Sequence, residues 1–160
     1  MNLSEKVGAL LRSYGKSISL AESCTGGLLG AILTSVPGSS DYFLASSITY
    51  SNRSKVDMLG VHDSTLIEHG AVSAQCAEEM ASGARRVGRA DIGVSITGIA
   101  GPGGETEKKP VGLVYIATDD GILRRSERCI FKGDRDDVRT AAVERALQMI
   151  IDLLLSYDHE

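Results

Sequence analysis

The sequence predicts an α/β fold: one domain, a three-layer α/β/α sandwich around a mixed, mainly parallel sheet. Three observations carry that expectation. Helical and strand periodicities alternate along the whole chain. Two glycine-rich turns follow directly on strand-like runs, where open α/β sheets usually hold their ligands. The chain of 160 residues, 42% of them hydrophobic, is long enough for one core and contains no linker-like or low-complexity tract to divide it.

Taken in order, Ser4 is expected to cap a helix that presents Val7, Leu10, Leu11 and Tyr14 and stops at Gly15. Ile18 and Leu20 alternate with Ser17 and Ser19, the pattern of a half-buried strand. Leu28, Leu29, Ile32 and Leu33 recur at helical spacing, with Thr25 as the expected cap and Pro37-Gly38 beyond the end. Residues 43–50 read as a strand, because Ile48, Thr49 and Tyr50 are β-formers; residues 52–59 read as a short helix closed by Gly60. Residues 64–69 suggest another helical turn or two. Ser73 caps a clearer helix with Ala77, Met80, Ala81, Ala84 and Val87 on one face, ending near Gly88. Residues 91–97 form a strand with Ile92, Val94 and Ile96 alternating. Residues 112–118 and 122–131 flank Asp119-Asp120-Gly121, a hairpin signal that supplies antiparallel strands. The last helix starts at the acidic run around Asp134. Its apolar face over residues 147–155, with the strand-rich edge, permits a homodimer or higher homo-oligomer.

A net charge of −4 with scattered Lys and Arg gives no electrostatic footprint for nucleic acid. Acidic Glu5 and polar Ser4 stand where a signal peptide would be basic and then apolar, and no apolar run has membrane-spanning length. The expectation is a soluble, cytoplasmic protein without a membrane or nucleic-acid partner. Cys24, Cys76 and Cys129 are odd in number and widely spaced, against both a disulfide framework and a zinc site. His62, His69 and His159 show no metal-ligand spacing either, so neither a metal nor a cofactor is expected.

Chemistry concentrates in a few places. Ala21-Glu22-Ser23-Cys24-Thr25-Gly26-Gly27 lies where a strand gives way to a helix, with hydroxyls, glycines and free helix amides together. An ordinary glycine-tolerant turn would account for the same residues. Thr97-Gly98-Ile99-Ala100-Gly101-Pro102-Gly103-Gly104 is a second glycine-rich loop at a strand end. It matches neither a dinucleotide fingerprint nor a P-loop, because its glycines are out of order and no Gly-Lys-Ser/Thr closes it. Lys55 and Arg135 sit near helix starts, where helix electrostatics disfavours cations. A Lys55 amine depressed by the dipole and by burial could serve as a general base. Arg135 could form a bidentate phosphate or carboxylate site. A solvated side chain is the plainer reading of either residue alone.

Together these segments resemble a known family. Glu22-Ser23-Cys24-Thr25-Gly26-Gly27, Pro37-Gly38-Ser39-Ser40, Thr49-Tyr50-Ser51-Asn52 with Lys55, Leu59-Gly60-Val61, His69-Gly70-Ala71-Val72-Ser73, Thr97-Gly98-Ile99-Ala100-Gly101-Pro102, Lys109-Pro110-Val111-Gly112 and Gly133-Asp134-Arg135 look like successive motifs of the CinA C-terminal domain family, over nearly the whole chain. Enzymatic members of that family are nicotinamide-nucleotide amidases. The resemblance implies an α/β/α fold and metal-free serine–lysine hydrolysis of the carboxamide of nicotinamide mononucleotide, a step of pyridine nucleotide salvage. The substrate would be a small nucleotide. Ser23 would then be the nucleophile and Lys55 its base, with Tyr50 orienting the lysine or relaying protons and Ser40 as the alternative nucleophile. Backbone amides at Thr25, Gly26 and Gly27 would stabilise an oxyanion, Thr97, Gly98 and Gly101 would hold ribose or phosphate, and Arg135 would take the phosphate. Ala45-Ser46-Ser47 departs from the family's usual glycines or aromatic and bears on substrate preference. Longer relatives add an N-terminal domain resembling molybdopterin-binding proteins, and none of its activity is assigned to these residues. The competing reading is a non-catalytic nucleotide-binding or regulatory domain, and a broader one is an amidase for another carboxamide.

Overall fold

Five strands form a single mixed sheet in the order β2-β1-β3-β4-β5. In the computed structural model, which describes residues 1–159, these are β1 Ile18–Glu22, β2 Phe43–Ile48, β3 Ile92–Gly98, β4 Leu113–Asp119 and β5 Arg124–Ile130. The helices are α1 Leu3–Tyr14, α2 Leu28–Thr34, α3 Asn52–Leu59, α4 Asp63–His69, α5 Ala74–Gly88 and α6 Arg135–Ser156. β2, β1 and β3 run parallel, whereas β3, β4 and β5 pair antiparallel. The expected predominance of parallel pairing is therefore corrected to an even division. No crossover helix follows β3, so the chain returns through the glycine-rich loop in the opposite sense.

α1, α2 and α6 pack together on one face of the sheet, while α5 covers the other and carries α3 and α4. This arrangement changes the meaning of the alternation along β1 and β3. Both strands lie between helix layers, and neither is half-buried. Ile18, Leu20, Ile92, Val94 and Ile96 enter the large core beside Val7, Leu11, Leu29, Val143 and Ile150. Each such side chain, removed from water, contributes about 1.5–3 kcal/mol. The opposite face carries Ser19, Ala21, Gly93 and Ser95, small enough for α5 to approach closely. A Cβ at Gly93 would stand 2.0 Å from the Ala81 carbonyl oxygen, and Ser95 Oγ donates to the Ala77 carbonyl at 2.5 Å. The serines thus mark a close helix contact in place of a solvent face.

Local signals locate most element ends. Gly15 and Gly60 close α1 and α3 in left-handed geometry, Ser51 caps α3 and Ser73 caps α5. Asp134 caps α6 in a capping box with Asp137. Two caps differ from expectation. Asn2, not Ser4, caps α1: its Oδ1 accepts from the Glu5 amide at 2.9 Å and from Ser4 Oγ at 2.8 Å. α2 has Gly27 at its N-cap with no side-chain cap, and the Thr25 hydroxyl is turned elsewhere. Val87 lies off the packed face of α5 and is 50% exposed. Leu147, Ile150, Ile151, Leu153 and Leu154 are buried in this molecule's own core, while Leu155 at the end of the run is exposed. No helix of the described residues is long and apolar enough to cross a membrane.

Candidate active site

The carboxyl ends of β1, β2 and β3 lie side by side, which brings Ser23, the segment from Thr49 to Lys55 and the loop from Thr97 to one end of the sheet. Each segment arrives there for a local reason. Glu22, the last residue of β1, is fully buried and turns its carboxylate onto the start of α2. Its Oε1 accepts from Thr25 Oγ1 at 2.6 Å and from the Leu29 amide at 2.9 Å; Oε2 accepts from the Gly30 amide at 3.0 Å. The Leu29 and Gly30 amides at the start of α2 are thereby satisfied from within. Gly26 and Gly27, at φ 57° and 104°, let the backbone double back between strand and helix.

α3 sets Lys55. With Ser51 as N-cap, Lys55 falls one turn into the helix and points back beneath β2, leaving only 1% of the residue exposed. Its Nζ donates to the Thr49 carbonyl at 2.7 Å and the Tyr50 carbonyl at 3.1 Å, and lies 3.0 Å from Ser23 Oγ. All three partners are uncharged. Burial therefore draws the amine's pKa below the ordinary lysine value. Ser23 itself is buried to 7% exposure but lines the cleft. Its neighbour Cys24 also lines it, with a thiol that burial pushes up to about 11. That thiol stays protonated at neutral pH and is a weak rival to the serine.

Arg135, the first residue of α6, reaches across the cleft mouth. Nη1 donates to the Gly101 carbonyl at 2.7 Å and Nη2 to the Tyr50 hydroxyl at 3.0 Å. Tyr50 thus serves two neighbours: its carbonyl holds Lys55 and its ring hydroxyl holds Arg135. Thr97 is almost wholly buried, and its Oγ1 donates to the Ala71 carbonyl at 3.0 Å, tying β3 to the turn before α5. Gly98 has no room for a side chain, since a Cβ would stand 2.7 Å from Val114 Cγ2. These groups surround an open cavity of about 240 Å³.

Ser23, Lys55, Tyr50, Thr97, Gly98, Gly101 and Arg135 all line that cavity. Ser40 does not. It is exposed in the 3₁₀ turn Ser39–Asp41 ahead of β2, at the amino end of the parallel strands, and the Lys55 amine is at the other end. Two residues around the site had no role in the sequence reading. Glu22 was visible only as an acidic residue ahead of a helix start. Arg139, one turn after Arg135 on the same helix face, donates from Nε to the Cys24 carbonyl at 3.2 Å and from Nη2 to the Thr25 carbonyl at 3.1 Å.

The fold is an α/β/α sandwich in which a serine hydroxyl faces a buried, carbonyl-held lysine amine at the carboxyl ends of parallel strands, inside a cleft of the kind that holds ligands in α/β proteins. Comparison with known proteins then gives the family: the CinA C-terminal domain model matches residues 1–154, and the chain belongs to that family. The nicotinamide-nucleotide amidohydrolase PncC of Escherichia coli strain K12 is 48% identical over 154 residues, covering 94% of this chain and 92% of that protein. A CinA-like protein of Citrifermentans bemidjiense is also 48% identical over 154 residues, with 96% of this chain covered but only 37% of the relative. This chain therefore spans little more than a third of that longer protein. Among solved structures, the competence/damage inducible protein CihA of Agrobacterium tumefaciens superposes with a TM-score of 0.92 at 42% identity, covering 94% of this chain and 93% of that one.

Proposed function

We propose that this chain, acting as one amidase domain in the cytoplasm, hydrolyses the carboxamide of nicotinamide mononucleotide to nicotinic acid mononucleotide and ammonia, in pyridine nucleotide salvage. The observation that carries the reading is the Lys55 amine, buried, uncharged in its surroundings and 3.0 Å from Ser23 Oγ. The likeness to PncC over nearly the full length of both chains supports the substrate.

The geometry suits the chemistry. A neutral Lys55 amine directs its two hydrogens at the Thr49 and Tyr50 carbonyls, which leaves its lone pair toward the Ser23 hydroxyl. Ser23 Oγ attacks the carboxamide carbon while its proton passes to Nζ. The ammonium returns that proton to the substrate nitrogen, the C–N bond breaks, and ammonia leaves an ester on Ser23. Water then attacks the ester carbon, giving its proton to Nζ, and Nζ reprotonates Ser23 Oγ as the acid departs. Each tetrahedral intermediate places negative charge on the former carbonyl oxygen. Among the turn amides, Gly26 is already bound to the Ser23 carbonyl. Those of Cys24, Thr25 and Gly27 make no hydrogen bond among the described residues; Thr25 is fully buried, and Cys24 is the one of the three that lies on the cleft wall, which makes its amide the donor for that charge. Arg135 lines the cleft and has donors beyond the two it uses, which a non-reacting phosphate at the cleft mouth would take up.

Incubating the purified chain with nicotinamide mononucleotide and measuring ammonia and the acid product tests the reading. Stoichiometric release of both is expected. Binding of the nucleotide without turnover would replace the amidase with a nucleotide-binding module.

A further inference from the structure

The turn that carries Ser23 is gripped from two sides. From within, Glu22 holds Thr25 Oγ1 and the first amides of α2. From the outer side, Arg139 holds the carbonyls of Cys24 and Thr25 at 3.2 and 3.1 Å. Its guanidinium is only partly exposed, and its remaining charged contact is a 3.7 Å approach to the well-exposed Asp136. It therefore spends its directed donors on backbone. Cys24 directly follows Ser23 and its peptide planes are rigid, so fixing its carbonyl restricts how the backbone carrying Ser23 and the Cys24 amide can turn. Bonds from a guanidinium to a carbonyl are charge-assisted and hold a planar fork to two acceptors at once.

We propose that Arg139 is a positioning residue for the proposed reaction: through the Cys24 and Thr25 carbonyls it holds the Ser23 turn in register with Lys55 and holds the Cys24 backbone, whose unbonded amide lies at the cleft wall. The proposal rests on the amidase reading. It differs from the role given to Arg135, because Arg139 reaches the backbone of the nucleophile turn, whereas Arg135 meets Gly101 and Tyr50 at the cleft mouth. The serine and lysine atoms are only 3.0 Å apart, and a displacement of about 1 Å in a reacting group can cost on the order of a hundredfold in rate.

The test compares wild type, Arg139→Lys and Arg139→Ala on the mononucleotide and on its riboside, which lacks the phosphate. Positioning predicts that Arg139→Ala lowers kcat about 10- to 100-fold on both substrates by the same factor with KM little changed, that Arg139→Lys falls between, and that millimolar guanidinium restores part of the Arg139→Ala rate. A rise in KM confined to the mononucleotide would overturn the proposal and make Arg139 a phosphate ligand. A lowered melting temperature with unchanged kcat would overturn it in favour of a purely structural role. Covalent labelling of Ser23 by a small sulfonyl fluoride, in which Ser23 Oγ bonds to sulfur, fluoride leaves and the hydroxyl proton passes to the Lys55 amine, separates the two readings. If wild type turns over neither substrate, the amidase reading fails, and the proposal for Arg139 then stands only if Arg139→Ala slows labelling at Ser23 and is overturned if the labelling rate is unchanged or Ser23 takes no label.

Discussion

The two ends of the parallel strands differ in how their polar groups are used. At the amino end, the charged side chains find partners: Arg12 donates to the Gly38 carbonyl and Asp41, and Asp91 accepts from the Ser17 amide and hydroxyl, while the buried Tyr42 hydroxyl beside them makes no hydrogen bond among the described residues. Ser40 sits beside this network, exposed and with no base near it. At the carboxyl end, Lys55 has no anionic partner, the turn amides of Cys24, Thr25 and Gly27 are unspent among the described residues, and Arg135 keeps donors at the edge of a cavity. The difference lies in what is left over: the amino end leaves a neutral hydroxyl, whereas the carboxyl end leaves a buried amine held by neutral groups 3.0 Å from a serine hydroxyl on a cleft wall, and that pairing is the physical signature of a site.

The comparison breaks most sharply at the serines. Ser23→Ala is expected to lower turnover by on the order of 10⁴-fold or more while the nucleotide still binds, and Lys55→Arg to fail similarly, because a guanidinium keeps its proton. Steady-state ammonia release from the two variants checks both. A dead Ser40→Ala beside an active Ser23→Ala would exchange the roles of the two ends.

Removal of Arg135 should have a smaller effect. Losing one charge-assisted bond to a phosphate costs roughly 1.5–3 kcal/mol, about ten- to a hundredfold in the substrate complex. Arg135→Ala is therefore expected to weaken use of the mononucleotide by that factor while barely changing the riboside, which narrows the wild-type preference. An unchanged preference would move the phosphate to the loop of Gly103 and Gly104.

The pH dependence should be milder and follows from Lys55. Burial lowers its pKa, so the amine loses its proton at a lower pH than an exposed lysine would, and kcat/KM should rise about tenfold per pH unit until that point and then level. Stability should carry the same sign. Below the folded pKa a charged amine is buried at a cost; as pH rises from there toward the ordinary lysine value, the unfolded chain binds more protons than the folded one, and stability increases. Melting temperature against pH should show this rise in wild type and lose it in Lys55→Met.

The smallest effect is expected at the amino end. Ser40→Ala should leave activity unchanged and shift stability by no more than about 0.5 kcal/mol, as a surface substitution away from any buried partner does. A loss of turnover without a loss of folding would show that the two ends are coupled.

How much could be read in advance depended on how local each cause was. α3 is legible to the residue, because Ser51 starts it and Gly60 ends it within one short stretch. The cap at Ser73 and the stop at Gly15 are legible for the same reason. Thr25 was misread as a cap because its competitor, Gly27 with the Glu22 carboxylate behind it, acts through a side chain seven residues from the amide it meets. Arg139 was silent because its partners lie 114 and 115 positions away along the chain.

The sequence by itself determined the alternation of elements, the glycine-rich turns at strand ends and, through the order of its motifs, the family. These are short-range facts of capping, backbone freedom and periodicity. Only the tertiary structure decided that the serines of β1 and β3 pack beneath α5, that the sheet is half antiparallel, and that α6 buries most of its apolar run in its own core. It also decided that Ser23 faces Lys55 while Ser40 does not. Such choices depend on which strands become neighbours, and two parallel strands put the residues after their carboxyl ends together however far apart they stand in the chain.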